Sequence, residues 1–543
     1  MKRFAMPVLC ALAMSVGWGF RGDYGHEWGA MVPGALLGLS VCLTSGREDW
    51  WKRASLLAML GAIGWAFGGK MSYAKITGYT AHTSFPDVAY GYACLFAIGA
   101  LWAGIGAAFL GLGMTRSRSY FDGFAWPLTA IYLVWKCLEW IPVWNGHQWM
   151  SATAYLMHGW NSVWEHLVGS GNAPAWFHYQ PMNHDTSWVA ATAALVVAAV
   201  LGLVLPRSRP ACVLILILSV FWWLGLSLFV GLLGWRMTPP RSDNWAGVLG
   251  LYVGLVVYLL GTRNRAALSL SLYGLLAGGI GFAVTDLLNM LGRAQWGPIG
   301  RYEMLQGLDY WKWMEQGFGL VMGLGVGLSC LRVLRGNLAP PSEDSPGGPS
   351  RWLALTLLLV VMMWENLFKN VRNWYQHQQI QESLFGLDPR LWFGLVGAVL
   401  TCAVVLAICR YLRGELPLVP SSAFGRAQLL FLLILWIAVI AAFMQAFPGM
   451  SQKGVLLVHA SFWLTAGACT LLVLGLRERP IVPRQQPQAA DDTCWFPRWW
   501  YWGIWACLPV LIWALARLTV AAHEQPLPGS HLRFESGRGK DQA

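Results

Sequence analysis

Charged residues are scarce in this chain of 543 residues: Asp, Glu, Lys and Arg make up only 12% of it, whereas 56% is hydrophobic. A soluble domain carries about 25% charged residues. With a mean hydropathy of +0.47, the composition also excludes a disordered or fibrous protein. Aromatic residues are not scarce, since the chain contains 34 Trp. These features indicate a membrane protein.

Several motifs of metal sites and soluble enzymes are also missing. The 11 Cys form no Cys-x-x-Cys pair and nearly all lie in apolar segments, so neither disulfides nor thiolate zinc sites are expected. Gly-x-Ser-x-Gly, the P-loop pattern and His-Glu-x-x-His do not occur, which removes the usual sequence signals of a nucleophile elbow, a nucleotide loop and a zinc protease. No metal is predicted, and the cofactor stays unknown. The net charge of +12 is spread over short loops, so no nucleic acid partner is expected.

What the chain does have is a series of apolar runs of about 17 to 25 residues, the length that crosses a hydrocarbon core. We predict an all-α, polytopic transmembrane helix bundle of about fifteen spans (14–15). Met1-Lys2-Arg3 and the apolar run behind them have features of a signal peptide, but the run continues into a polar motif, so we interpret it as the first helix. The predicted spans are about 5–20, 28–44, 54–74, 90–114, 123–141, 187–205, 212–234, 244–261, 266–291, 314–335, 352–369, 390–412, 428–447, 453–476 and 498–516.

Every second loop between these spans is short and basic, which is typical of the cytoplasmic side. The N-terminus is therefore predicted to be cytoplasmic. All eleven His fall on the opposite side, partly because the loops there are longer. We expect a protein of the cytoplasmic (plasma) membrane whose site faces the extracytoplasmic side. The basic groups are Arg47/Lys52/Arg53, Arg116/Arg118, Arg207/Arg209, Arg263/Arg265, Arg332/Arg335/Arg351, Arg410/Arg413/Arg426 and Arg477/Arg479/Arg484.

Short similarities recur in the same order along the chain. Gly17-Trp18-Gly19 matches Gly234-Trp235-Arg236, and the Gly61–Phe67 stretch matches Gly278–Val284. The order predicts two six-helix units in the same orientation, although Gly/Trp-rich helices also resemble one another by composition. The predicted organisation is 1–205 for the first unit, 211–412 for the second, 428–516 for three additional helices and 517–543 for a disordered tail.

The first candidate site is the segment from Arg21 to Trp28, between two short apolar runs. Gly22 and Gly25 permit a tight turn that holds several polar groups together. Arg21 offers a planar fork for phosphate or carboxylate. Asp23, His26 and Glu27 supply acid–base groups. The alternative is a polar turn whose ions pair with each other.

Ionisable residues inside the spans form the second candidate. They map to the outer halves of their helices, and such groups are costly in a membrane unless they pair or meet water. Glu365 and Lys369 are spaced to pair on one helix face, and Asp286 shares a face with Asn289. Structural pairing between helices is the alternative. The set comprises Lys70, Lys136, Glu139, Asp286, Glu315, Glu365 and Lys369.

The outer loops provide two weaker candidates. The loop of about 142–186 is rich in His, but it contains no i,i+4 pair that would place two imidazoles on one helix face, so we interpret it as an aromatic cap rather than a metal site. Arg236 and Arg241 in another loop supply guanidinium groups that are predicted to bind an anionic headgroup or sugar phosphate, and Asp243 of the same loop is a further candidate for substrate binding. Solvated loop charges are the alternative.

The leading functional hypothesis is a membrane-embedded transferase or hydrolase that acts on a lipid-linked or envelope substrate, anionic or sugar-containing. Arg21, Arg236, Arg241, Asp243, Glu365 and Lys369 are assigned to substrate binding, and Asp23, His26, Glu27 and Asp286 to catalysis. The expected partners are membrane lipids and a small-molecule, lipid-linked or glycan substrate. The inner halves of the spans are almost purely apolar, which disfavours a path through the membrane. A secondary transporter of a polar or anionic solute is the alternative, and a non-catalytic receptor or scaffold is the third.

Overall fold

The computed structural model describes residues 4–25, 27–71, 73–144, 149–156, 187–238, 244–336, 338, 341, 348–368, 383, 386–413, 425–447, 452–476 and 497–534. Its secondary structure is almost entirely helical. The main helices are α1 (Ala5–Arg21), α2 (Glu27–Thr44), α3 (Ala54–Gly68), α4 (Phe85–Thr115), α5 (Ala125–Trp140), α6 (Ser187–Val204), α7 (Arg209–Gly225, continued by π-helical turns Leu226–Leu232), α8 (Asn244–Gly261), α9 (Arg265–Arg293), α10 (Tyr310–Arg335), α11 (Pro349–Thr356, continued by Leu357–Val361 and Trp364–Phe368), α12 (Pro389–Arg413), α13 (Arg426–Ala446), α14 (Lys453–Gly475) and α15 (Trp499–Ala522).

Each of these helices lies at one of the positions predicted from an apolar run. Within the described residues, twelve helices are long and apolar enough to cross a membrane, and α1 and α3 are shorter apolar helices. The chain is therefore an all-α, multi-pass membrane protein, as predicted. The exact number of crossings and the six-helix duplication stay predictions.

Six helices form a closed ring in which each packs against the next, in the order α1, α2, α3, α4, α9, α10 and back to α1. Glycines allow this close approach. A Cβ added to Gly34 of α2 would meet the backbone of Gly61 in α3, and a Cβ added to Gly99 of α4 would meet the backbone of Gly278 in α9. In lipid, where apolar surface alone gives no drive to associate, such small residues let helices pack. Four ring helices come from the first predicted unit and two from the second.

The interior of the ring is filled by aromatic side chains. The indole group of Trp18 lies edge-on to the aromatic rings of Trp102 and Phe318, and both centroid distances are 4.8 Å. Phe282 stacks on Phe318 at 4.4 Å. All four side chains are buried, so they form a solid layer between α1, α4, α9 and α10.

The loops predicted to be cytoplasmic contact one another at one end of the bundle. Arg53 donates to the carbonyl of Arg116 at 2.5 Å, and Arg118 donates to the carbonyl of Lys52 at 2.9 Å. Arg47 donates to the carbonyl of Leu338 at 2.5 Å. The basic residues of three loops therefore gather on one face, which we call the basic end. The helix termini that carry Arg21, Lys70, Asp286 and Glu315 lie at the other end, the polar end.

Short elements connect the helices. A 3-10 turn, Gly22–Tyr24, and the short helix Ala74–Thr80 lie at the polar end, and the remaining short helices are Glu48–Lys52, Arg118–Asp122, Pro206–Ser208 and Pro298–Arg301. Two antiparallel strands, Pro142–Trp144 and Trp149–Ser151, form a small hairpin at the start of the loop predicted as an aromatic cap.

Residues 517–534, part of the segment predicted as a disordered tail, lie among the described residues. Residues 517–522 complete α15. The next segment, 523–534, runs across the polar end, where Leu527 donates to the carbonyl of Ala81 at 2.9 Å and His531 to that of Gly78 at 3.1 Å. The sequence predicts disorder here because the segment is polar. Composition alone does not indicate backbone hydrogen bonds of this kind. Residues 535–543 lie outside the described residues. We call 523–534 the C-terminal strap.

Candidate functional site

A cavity of about 1050 Å³ lies between α2, α3, α5, α6 and α11. Most of its walls are apolar or aromatic, and the ionisable side chains belong to the last or first turns of their helices at the polar end. The cavity therefore combines an apolar body with a charged end. Its apolar wall includes Met31, Ile63, Ala66, Leu128, Ile131, Leu353, Leu357 and Val360, and its charged end includes Glu27, Lys70, Glu139 and Glu365.

Glu27 and Lys70 form one ion pair of the charged end. Lys70 Nζ lies 2.6 Å from Glu27 Oε1, and the two side chains are 29% and 32% exposed. Gly25 has a φ of +89°, a conformation that favours glycine. This turn sets Glu27 at the first position of α2, where a carboxylate is stabilised by the helix N-terminus.

A second set of charges is arranged around Lys136 of α5. Lys136 Nζ lies 2.8 Å from Glu139 Oε2 and 2.5 Å from Glu365 Oε1 of α11. Tyr132 also donates to Glu365 Oε1, at 3.2 Å. One ammonium thus bridges two carboxylates from different helices, and Glu365 is buried while Glu139 is partly exposed.

Arg21 lies behind this cavity rather than on its wall. It is buried, and its guanidinium stacks over Trp102 and Tyr73 at 4.8 and 5.2 Å from the ring centroids. Its Nη1 donates to Tyr73 Oη at 3.0 Å. Tyr73 in turn donates to Glu315 Oε1 of α10. The buried phenol keeps its proton, so this neutral hydroxyl bridges the two charged groups.

Lys312 extends this network towards the polar end. Its Nζ lies 3.4 Å from Glu315 Oε2 and donates to the carbonyl of Gly19 at 3.2 Å. A Cβ on Gly22 would lie only 3.1 Å from Glu315 Oε1. A larger residue at position 22 would therefore press against this carboxylate.

Asp286 occupies a separate place on α9. It is 0% exposed; its Oδ2 lies 2.7 Å from Thr80 Oγ1 of the short helix Ala74–Thr80. Asn289 donates to Asp286 Oδ1 at 3.2 Å. The prediction that Asp286 and Asn289 share a helix face is confirmed.

The structure places the predicted site residues in several positions. Glu27 and Glu365 both line the cavity, whereas neither Arg21 nor Asp286 lines it. Arg236 lies beside the C-terminal strap, and its carbonyl accepts a hydrogen bond from Arg533 at 3.2 Å. Glu365 pairs with Lys136. The remaining predicted positions, namely His26, Arg241, Asp243, Lys369 and the side chain of Asp23, lie outside the described residues.

The sequence analysis missed Tyr73, Tyr132 and Asp87. Tyr73 follows α3 in a Gly/Lys/Ser-containing connection, and only the nearby Lys70 signalled a polar site there. Asp87 lies in the first turn of α4 and is fully buried. Its carboxylate accepts hydrogen bonds from Ser84 and from two backbone N–H groups of the C-terminal strap. A carboxylate followed by a long apolar run was the available signal for Asp87.

No cluster of three or more His, Cys, Asp and Glu with metal-binding geometry occurs among the described residues. Compared with protein-family models, curated proteins and solved structures, the chain matches none of them. The argument for function therefore depends on the cavity and its charged end.

Proposed function

We propose that the protein is a membrane-embedded transferase or hydrolase whose substrate is an amphiphile with a lipid chain and a hydroxyl-rich, sugar-like headgroup. The observation that carries the proposal is the cavity of about 1050 Å³ with apolar walls and charges at one end only. The site opens towards the polar end, opposite the basic loops. By the positive-inside rule, that end faces the extracytoplasmic side of the cytoplasmic membrane.

The walls favour a hydrocarbon chain. Each CH₂ group moved from water to such a surface gains about 0.8 kcal/mol. Met31, Ile63 and Leu357 lie deeper along their helices than the charged residues, so the chain would extend towards the membrane interior. The headgroup would then reach Glu27 and Lys70.

The charged end favours hydroxyl groups over a purely anionic headgroup. Three carboxylates (Glu27, Glu139 and Glu365) and two ammonium groups (Lys70 and Lys136) are already arranged in ion pairs. An anion would have to displace a carboxylate from a lysine, whereas sugar hydroxyls donate to the carboxylates without breaking the pairs.

The same groups supply acid–base chemistry. Glu27 is partly exposed at the start of α2 and is the candidate general base for a hydroxyl or water nucleophile. Glu139 and Glu365, which share Lys136, are the candidates for orienting the headgroup. The proton that Glu27 takes from the nucleophile is the one that it returns to the leaving group. Lys70 stabilises the charged form of Glu27.

The test uses full-length protein in lipid nanodiscs and two photoactivatable probes, one a polyprenyl-linked sugar and the other the same lipid chain without the sugar. We expect the sugar-bearing probe to crosslink at the cavity, and Met31→Trp, which fills the apolar wall, to abolish crosslinking. Glu27→Gln should retain crosslinking but abolish turnover. Leu203→Trp, at an exposed position of α6, is the matched control. Equal labelling of wild type and Met31→Trp, or a turnover that survives Glu27→Gln, would contradict the proposal.

A secondary transporter is the second candidate, favoured by one observation. Helix α1 and helix α3 both end at the polar end, and α3 is followed by the short helix Ala74–Thr80 around the buried Arg21. Interrupted helices of this kind are common at transporter sites. The aromatic layer of Trp18, Trp102 and Phe318 lies across the path that a solute would need. Solute flux into proteoliposomes that Trp18→Ala increases would favour this candidate over the enzyme.

A further inference from the structure

Two aspartates at the polar end are both 0% exposed, yet their surroundings differ. Asp87 accepts hydrogen bonds from Ser84 Oγ at 2.5 Å and from the backbone N–H groups of Arg533 and Phe534 at 2.5 and 2.9 Å. Three donors, two of them backbone amides, stabilise an ionised carboxylate. Asp87 therefore has the environment of a charged group.

Asp286 has no comparable set. Among the described residues, its carboxyl oxygens bond only to Thr80 and Asn289, both neutral. A buried carboxylate in a membrane helix is strongly disfavoured unless a cation or several donors compensate it. This environment suits a neutral carboxylic acid.

The hydrogen bonds of the Thr80 hydroxyl also favour a protonated Asp286. Thr80 Oγ1 lies 3.0 Å from the carbonyl oxygen of Thr77 and 2.7 Å from Asp286 Oδ2. A threonine hydroxyl has one proton, so it can donate to only one of the two oxygens. If Asp286 carries a proton on Oδ2, it donates to Thr80, and Thr80 donates to Thr77. Each short contact then has its own hydrogen atom.

We propose that Asp286 is a reversible proton-binding site. A proton from water forms the Oδ2–H bond, and the same bond breaks when the proton returns to water. Asn289 Oδ1 is buried and has no hydrogen-bond partner among the described residues, so it leaves an open acceptor beside the carboxyl group. The site goes beyond the proposed function and does not depend on it.

The bond between Asp286 and Thr80 joins α9 to the end of the short helix Ala74–Thr80. That helix begins directly after Tyr73, which bridges Arg21 and Glu315. Loss of the proton reverses this bond: Thr80 Oγ1 then donates to the Asp286 carboxylate and no longer to the carbonyl of Thr77. Protonation of Asp286 thereby changes the hydrogen bonding of the last turn of the short helix that begins after Tyr73.

Other titratable groups near Asp286 are engaged elsewhere. Tyr92 of α4 forms a hydrogen bond of 2.5 Å with Thr519 of α15. On α10, Glu315 bonds to Tyr73 and Lys312. Arg293 lies two turns further along α9 and donates to the carbonyl of Pro528 in the C-terminal strap at 2.5 Å.

Infrared spectroscopy of the full-length protein in lipid tests the proposal directly, because a protonated carboxylic acid has a carbonyl stretch that a carboxylate lacks. We expect this band in the wild type at mildly acidic pH, its loss at high pH and its loss in Asp286→Asn. The Asn side chain keeps the shape and can still donate to Thr80. Asp87→Asn is the matched control and should retain the band.

Thr80→Val supplies a second measurement that does not alter the carboxyl group. It should keep the band but shift its frequency, because the hydrogen bond to Thr80 is lost. A wild-type spectrum that neither Asp286→Asn nor Thr80→Val changes would overturn the proposal. So would stabilisation of the wild type, but not of Asp286→Asn, by Na⁺ at constant pH, since this would identify a metal-cation site.

Discussion

Arg21 and Tyr73 are 52 positions apart in the chain, yet Arg21 Nη1 donates a hydrogen bond of 3.0 Å to Tyr73 Oη inside the ring of helices. The phenol in turn donates a hydrogen bond to Glu315. A charged group of α1 and a charged group of α10 are thus connected through a neutral hydroxyl that belongs to neither helix. The ring is closed by polar contacts at the polar end as well as by glycine packing below it.

Tyr73→Phe is expected to weaken this closure. The substitution keeps the aromatic ring but removes a buried hydroxyl that serves as acceptor for Arg21 and donor to Glu315, so the loss should be about 1–3 kcal/mol of unfolding free energy. The measurement is an SDS-titration unfolding curve of protein reconstituted in mixed micelles.

Tyr79→Phe is the matched control for Tyr73→Phe. Tyr79 is also buried, but no hydrogen bond of its hydroxyl occurs among the described residues. Its unfolding curve should stay within error of the wild type. Equal destabilisation by both substitutions would show that the loss of stability does not come from the hydroxyl bridge between Arg21 and Glu315.

Removal of Lys136 is expected to be more damaging than removal of its partners. Lys136→Met leaves the carboxylates of Glu139 and Glu365 without the ammonium that bridges them, and breaking a buried pair from one side costs about 3–5 kcal/mol. The double variant Lys136→Met/Glu365→Gln should recover a large part of that loss. Unfolding curves of the two single variants and the double variant complete the cycle, and additive effects would contradict a direct coupling.

The sequence was sufficient to predict the helices and the clustering of the basic loops. Both depend on local features, namely the length of apolar runs and the charge of the loops between them. The same holds for Asp286 and Asn289, whose spacing of three residues puts them on one helix face. Local spacing thus predicted a contact that the structure contains.

Partners on different helices could not be predicted in this way. Spacing predicts Lys369, which lies outside the described residues, as a partner for Glu365. It could not indicate Lys136 of another helix, with which Glu365 forms an ion pair. Likewise, nothing in the sequence shows that Asp87 accepts hydrogen bonds from the backbone of Arg533 and Phe534 in the segment after α15. Such pairings depend on which elements are neighbours in the bundle, which hydropathy does not encode.

Glycine packing in the ring gives a further prediction. A Cβ on Gly278 of α9 would meet the backbone of Gly99 in α4, so Gly278→Ala should force the two helices apart and cost about 1–3 kcal/mol. Gly467→Ala in α14 is the control, because nothing lies within 4 Å of its added Cβ. Thermal unfolding of both variants in nanodiscs tests the difference. A Gly278→Ala variant as stable as Gly467→Ala would mean that α4 and α9 do not pack through these glycines.

His523, the first residue of the C-terminal strap, should make docking of the strap sensitive to pH. Burial, followed by the nearby Arg293 and His82, lowers the pKa of His523 below its usual value of 6.5. The folded strap therefore disfavours the charged imidazole, and its stability is present above pH 6.5 and declines as the pH falls towards the lowered pKa. Hydrogen exchange of residues 527–534, corrected for the intrinsic pH dependence of exchange, should show loss of protection in that range. His523→Asn should remove this dependence, whereas Glu524→Gln at the adjacent exposed position should retain it. Protection that is independent of pH in the wild type, or lost equally in His523→Asn, would contradict the assignment to His523.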